Sequence, residues 1–188
     1  LVGSEMCIRD RGYCNDKWAD AVCAQARAIQ HTSNYFYTKV QADFAAKLCE
    51  LTGYTDVFFG NSGAEANECA IKLARKYSFD KYGKGRHTIV TLVNSFHGRT
   101  LATLSATGQD VFHNYFFPFV EGFVNVPAND IDALRKLIAE DKTICAVMFE
   151  FVQGEGGVNP LDKAFVDEIF KLCGENDILT AVSYTHLR

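Results

Sequence analysis

Apolar residues along the chain follow two rhythms that take turns. Val40, Phe44, Leu48 and Leu51 recur at helical spacing, as do Ile131, Leu134 and Ile138, and then Leu161, Phe165, Ile169 and Leu172. Each set predicts a helix with one apolar face. Between them lie short β-rich runs: VFF at 57–59, TIVTLV at 88–93, FVNV at 123–126, ICAVMF at 144–149 and ILTAV at 178–182. Unbroken apolar runs of this length read as strands covered on both faces. Strands alternating with helices imply an α/β fold, a mostly parallel sheet flanked by helices. No internal repeat, low-complexity tract or linker interrupts the pattern, so nothing in it points to a second complete domain.

In open α/β sheets the functional groups sit just beyond the carboxyl ends of the strands, and three strand ends here carry chemistry. In VFFGNSGAEANECAIKL a strand is expected through Phe59, a turn at Gly60 and Gly63, and a helix with Ser62 as N-cap and Glu65 three residues on, a capping-box pattern. The amides of Gly63 and Ala64 are then unpaired at the positive end of a helix dipole, where a phosphate can approach closely. The same residues also read as a well-capped helix start and nothing more. In TIVTLVNSFHGRT, Gly98 relaxes the turn. Phe96 or His97 can then lie flat over a planar ligand, while Arg99 presents a planar fork to a carboxylate. A core phenylalanine and a solvated arginine are the competing reading. In AVMFEFVQGEGG, Glu150 and Glu155 emerge at the end of a strand that should be buried, so each must find a partner or face a site. The glycine-rich turn after Gln153 lacks the GxGxxG spacing and a helix directly behind it, which argues against a dinucleotide loop.

Composition narrows the function classes. With 188 residues, 48% hydrophobic and 22% charged, the chain suits one compact globular domain or a piece of a larger one. A net charge of −4 with no basic stripe gives no support to nucleic-acid binding. No apolar run approaches the ~20 residues of a membrane span, and no leader pattern opens the chain, so a cytoplasmic protein is expected. The seven cysteines form no CxxC pair. Cys23, Cys49, Cys69 and Cys173 fall in helix-like segments, where they are expected as small buried hydrophobes in a reducing compartment. The histidines lack ligand spacing, so no metal site is expected.

Taken together, NSGAEANECAIKLARKY, SFHGRTLATLSATG and FEFVQGEGGV, in this order and at these separations, resemble the class III pyridoxal-phosphate aminotransferases over roughly residues 12–182. GYCNDKWADAV and HTSNYFYTKVQADFAAKL resemble that family's early helix and substrate-side loop. The resemblance implies the central part of a large fold-type I cofactor-binding domain. It implies pyridoxal 5'-phosphate as cofactor, with Ser62, Gly63 and Ala64 at its phosphate, Phe96 stacked on the ring with His97 beside it, and Glu150 as a supporting carboxylate. It places Arg99 on the substrate α-carboxylate and Tyr35 on the substrate side, and makes Glu155 the residue that neutralises an arginine when the amino donor is bound. It further implies a homodimer, an acetylornithine-like ω-amine donor, 2-oxoglutarate as acceptor and a place in arginine biosynthesis. Ornithine, succinylornithine and γ-aminobutyrate enzymes share these motifs.

Two departures stand out. Phe151 occupies a position where the family usually has Pro, which leaves the local turn geometry open. The family's Asp on the pyridine nitrogen would follow the strand ILTAV, yet Ser183 stands there, and the family's cofactor-binding Lys comes later. Lys72, Lys76 and Lys84 lie on or after the phosphate-side helix, where lysines are ordinarily solvated. Residues 1–11 and 183–188 read as foreign tails around residues 12–182. The chain is accordingly expected to be a fragment, inactive alone, with no catalytic residue of its own. The alternative is a complete, non-catalytic α/β phosphate-binding module, for which Phe96–Arg99 and Glu150–Glu155 have no use.

Overall fold

The computed structural model describes residues 13–33 and 35–184. The expected tail 1–11 lies outside the described residues, as do residues 185–188 of the expected tail 183–188. The chain divides after Val57 into two compact units.

The N-terminal unit contributes two helices, α1 (Asp16–Ala28) and α2 (Lys39–Thr52). Local chemistry sets their ends: Asn15 Oδ1 accepts the Trp18 N–H at 2.9 Å to cap α1, and Gly53 closes α2 in the left-handed region at φ 75°. The periodicity of Val40, Phe44, Leu48 and Leu51 forms the predicted helix, but its apolar stripe is not core, since Val40 and Leu51 are exposed. No described residue of either helix is buried. Cys23 is exposed too, contrary to expectation, and Cys49 and Cys69 are only partly covered, whereas Cys173 is buried as expected.

The second unit is a doubly wound α/β layer structure. Its elements run α3 (Gly63–Tyr82), β1 (Thr88–Leu92), α4 (Leu101–Ala106), β2 (Phe123–Val126), α5 (Ile131–Glu140), β3 (Ile144–Phe149), β4 (Val152–Gln153), β5 (Asn159–Pro160), α6 (Lys163–Glu175) and β6 (Leu179–Val182). Strands β2, β1, β3 and β6 lie side by side in that order, all parallel, and β4 and β5 form a small antiparallel pair. Every residue of β1 and β3 is buried, which is why both read as unbroken apolar runs.

Alternation along the strands splits the core between the two faces. Val90, Leu92, Val147 and Phe149 pack with Leu134 and Ile138 of α5 and Phe165 and Ile169 of α6. Ile89, Cys145 and Met148 pack instead with Ile71 and Ala74 of α3 and Ala106 of α4. Burying side chains of this size contributes about 1.5–3 kcal/mol each, so the sheet is clamped from both sides. The carboxyl ends of β1, β3 and β6 therefore open on one rim.

One expected strand is absent. Residues 57–59 belong to neither sheet, and Phe58 is exposed. A β-rich run becomes a strand only where a neighbouring strand supplies the ladder, and neither sheet extends to these residues.

Candidate active site

Helix α3 begins as the sequence suggests. Ser62 Oγ accepts the Glu65 N–H at 3.2 Å. The Glu65 carboxylate turns back on Asn61, accepting its backbone N–H at 2.6 Å and its side-chain amide at 2.9 Å. The capping box is thus shifted by one residue from the expected Ser62 N–H. The amides of Gly63 and Ala64, in the first turn, have no intrahelical acceptor. A Cβ placed on Gly63 would meet nothing within 4 Å, so the approach to them is open.

Gly98 brings the second motif onto this helix start. Its φ is +135°, and a Cβ there would lie 2.6 Å from Thr103 Oγ1 and 2.8 Å from the Ala64 Cβ. Only glycine fits. Asn67, one turn into α3, completes the junction: its side-chain amide donates to the His97 carbonyl at 2.7 Å and to Ser183 Oγ at 3.0 Å. One residue thereby joins the helix, the loop after β1 and the end of β6.

The loop itself presents its side chains differently. Phe96 is half-buried, while His97 is 2% exposed. Neither ring nitrogen of His97 has a hydrogen-bond partner, and burial pushes its pKa down to about 4. The imidazole is neutral at physiological pH and carries two unsatisfied polar atoms, a state proteins seldom tolerate outside a functional site. Its backbone N–H is held by Thr107 Oγ1 at 3.0 Å.

Glu150 finds the partner its position demands. The carboxylate is 2% exposed and accepts the Phe96 N–H at 3.0 Å. Burial pushes its pKa up to about 7, against the pull of the N–H groups of Phe96 and Gly154, and the nearby Glu155 raises it further. Phe151 is accommodated in the turn that follows, its carbonyl accepting the Leu161 N–H at 2.9 Å.

Arg99 is exposed and sits over two rings, with its guanidinium carbon 5.8 Å from the centre of Phe96 and 5.5 Å from that of Phe112. The two rings meet edge-on with centres 5.6 Å apart. A cleft of about 360 Å³ opens beside them, walled by Arg99, Leu104, Val111, Phe112 and Tyr115. Glu155 projects from the adjacent loop, its Oε2 accepting the side-chain amide of Gln109 at 3.0 Å. Tyr35 lies in the N-terminal unit and is fully open to solvent, with its N–H on Ser33 Oγ.

Ser62, Gly63, Ala64, Phe96, His97, Arg99, Glu150 and Glu155 thus all belong to one unit, at the start of α3 and on the turns that follow β1 and β3. Asn67, Thr107 and Gln109 escaped the sequence reading. Asn67 sits four residues after Gly63, on the same helical face, which is the only local signal it gives.

A match to the family described as Aminotransferase class-III runs over residues 2–182. The chain belongs to the class-III aminotransferases. This class is pyridoxal-phosphate-dependent. Among curated class-III relatives, acetylornithine aminotransferase of Haemophilus ducreyi is 52% identical over 93% of this chain and 44% of its own length. The enzyme of the same name from Caldanaerobacter subterraneus is 45% identical over 92% of this chain and 43% of its own. The fold superimposes on ornithine aminotransferase of Toxoplasma gondii with a TM-score of 0.86 at 30% identity, covering 92% of this chain and 41% of that one. The chain therefore spans under half the length of the class-III relatives it matches.

The residues present suit the cofactor of this class. A pair of first-turn amides, a half-buried flat ring, a histidine with unsatisfied nitrogens and a buried carboxylate stand on turns that touch one another. A phosphorylated, planar, polar-edged ligand matches each of them. No helix of the described residues is long and apolar enough to cross a membrane, and no group of His, Cys, Asp and Glu among them could hold a metal.

Proposed function

We propose that this chain is part of an aminotransferase that moves an amino group from an acetylornithine-like ω-amine donor to 2-oxoglutarate. The observation that carries the reading is the junction of Gly98 against Ala64, which brings the loop that carries Arg99 onto the start of α3. The names of the relatives at 45–52% identity support the donor. Pyridoxal phosphate, when bound, supplies an aldehyde that can carry the amino group and a ring that can store electrons.

The chain's own residues would divide the remaining work. Gly63 and Ala64 donate their N–H groups to the phosphate, with the Ser62 cap fixing the turn. Phe96 covers one ring face, and Glu150 sets its height by holding its N–H. His97 offers an imidazole nitrogen toward the ring edge. Arg99 forks onto the substrate α-carboxylate, and Glu155 supplies the negative charge that meets an arginine while the donor is bound. The working assembly is a cytoplasmic homodimer in arginine biosynthesis.

The test is an assay of the holoenzyme with acetylornithine and 2-oxoglutarate, beside ornithine and γ-aminobutyrate. Glutamate formation fastest with acetylornithine supports the reading. A preference for γ-aminobutyrate, whose carboxylate lies one carbon nearer the amine and has no acylated α-amino group beside it, overturns it.

A further inference from the structure

Gln109 follows a glycine that is pinned in place. A Cβ on Gly108 would lie 2.1 Å from the Leu92 carbonyl oxygen. The Gly108 N–H is shared between the carbonyl and the Oγ of Ser95, at 3.2 and 3.1 Å, and its carbonyl accepts the Asn94 N–H at 2.7 Å. The backbone of Gln109 is therefore fixed against the residues that lead into Phe96.

Its side chain spans the gap to the other loop. The Nε2 amide donates to the Ser95 carbonyl at 3.2 Å and to Glu155 Oε2 at 3.0 Å. Glu155 is anchored from behind as well, since a Cβ on the next residue, Gly156, would lie 2.3 Å from the Asn94 carbonyl oxygen. Both bonds leave from one nitrogen, which among neutral side chains only a primary amide provides at this reach. An amide also holds a carboxylate without cancelling its charge. A lysine would neutralise it, and a glutamate would repel it.

We infer that Gln109 is a positioning residue for substrate selection: it holds Glu155 in place, still charged, beside the loop that carries Phe96 and Arg99. This rests on the proposal that Glu155 meets a cation during the donor half of the reaction. A hydrogen bond from an uncharged amide is weaker than an ion pair, so Glu155 can re-pair with an arriving guanidinium or ammonium and is still aimed beforehand. Gln109 thus acts on recognition of the amine donor and leaves recognition of the keto acid largely alone.

The experiment is a double-mutant cycle on the holoenzyme of the protein that carries this sequence, with Gln109→Leu, Gln109→Glu and Glu155→Gln, each half-reaction measured separately. Gln109→Leu should raise KM for the donor about tenfold, the scale of one hydrogen bond to a charged group, with kcat and the keto-acid half-reaction little changed. Gln109→Glu, which keeps the shape, should be at least as damaging because it sets two carboxylates together. It carries the test alone if the leucine variant does not fold. In the Glu155→Gln background the donor effect of either change should vanish. A glutamate variant that behaves like wild type, or losses that add across the cycle, overturns this inference alone. A wild-type holoenzyme without turnover overturns the aminotransferase reading, and this inference with it.

Discussion

The buried carboxylate of Glu150 accepts the backbone N–H of Phe96 at 3.0 Å, so a titratable group at the end of β3 supports the ring at the end of β1. Its pKa is raised in the folded chain, which means the native state binds the extra proton. Stability from this group is present in full below the ordinary glutamate value of 4.5 and is lost as pH rises toward about 7. The loss is on the order of 3 kcal/mol at most. Urea melts of wild type and Glu150→Gln should converge at low pH, with the wild type falling behind between pH 5 and 8. Parallel curves would remove the burial cost assigned to Glu150.

His97 has the opposite sign. A depressed pKa means that stability is present above the ordinary value of 6.5 and is lost as pH falls toward about 4, where protonation forces a charge into the core. His97→Leu, close in volume, removes both unsatisfied nitrogens and should stabilise the chain by ~1–2 kcal/mol at pH 5. The same change should weaken pyridoxal-phosphate binding, which fluorescence titration reads directly. A destabilised variant with unaltered affinity would make the histidine an ordinary core residue.

Gly98→Ala should cost ~2–3 kcal/mol, because φ +135° and a 2.6 Å approach to Thr103 Oγ1 both exclude a Cβ. Thermal melts measure the loss. Cofactor affinity should fall with it, since relief of the clash moves the Phe96 loop away from Ala64. An unchanged melting temperature would contradict the packing described at this junction.

How much of this was readable in advance follows from where each signal resides. Strands β1 and β3 were legible because burial on both faces writes an unbroken apolar run into TIVTL and ICAVMF. The run at 57–59 carried the same local signature, but strand pairing is not a local property. Ser62 and Glu65 announced a helix start, while the exact partner of Glu65 shifted to Asn61 because hydrogen-bond choice depends on turn geometry. Asn67 and Gln109 gave little local signal, since their side chains reach Ser183 and Glu155 far along the chain, and Thr107 gave none, since its bond to the His97 N–H depends on how the loop after β1 folds back. The exposed stripe of α2 shows the converse: periodicity forms a helix without saying what covers it.

Arg99→Lys tests the substrate side. A lysine keeps the charge and loses the planar fork that lies over Phe96 and Phe112. In the holoenzyme, kcat/KM for acetylornithine should drop about tenfold to a hundredfold, and that for its decarboxylated analogue should hardly change. An equal loss for both substrates would assign Arg99 to bracing the loop.

The central claim is that the open amides at the start of α3 hold the cofactor phosphate. The most direct measurement is equilibrium binding of pyridoxal phosphate and of phosphate-free pyridoxal to wild type and to Gly63→Glu, which places a carboxylate where the phosphate would lie. Wild type should prefer the phosphorylated form by about tenfold or more, as charge-assisted bonds to a helix start imply, and Gly63→Glu should abolish that preference. Equal affinity of wild type for both ligands, or an undiminished preference in Gly63→Glu, would contradict it.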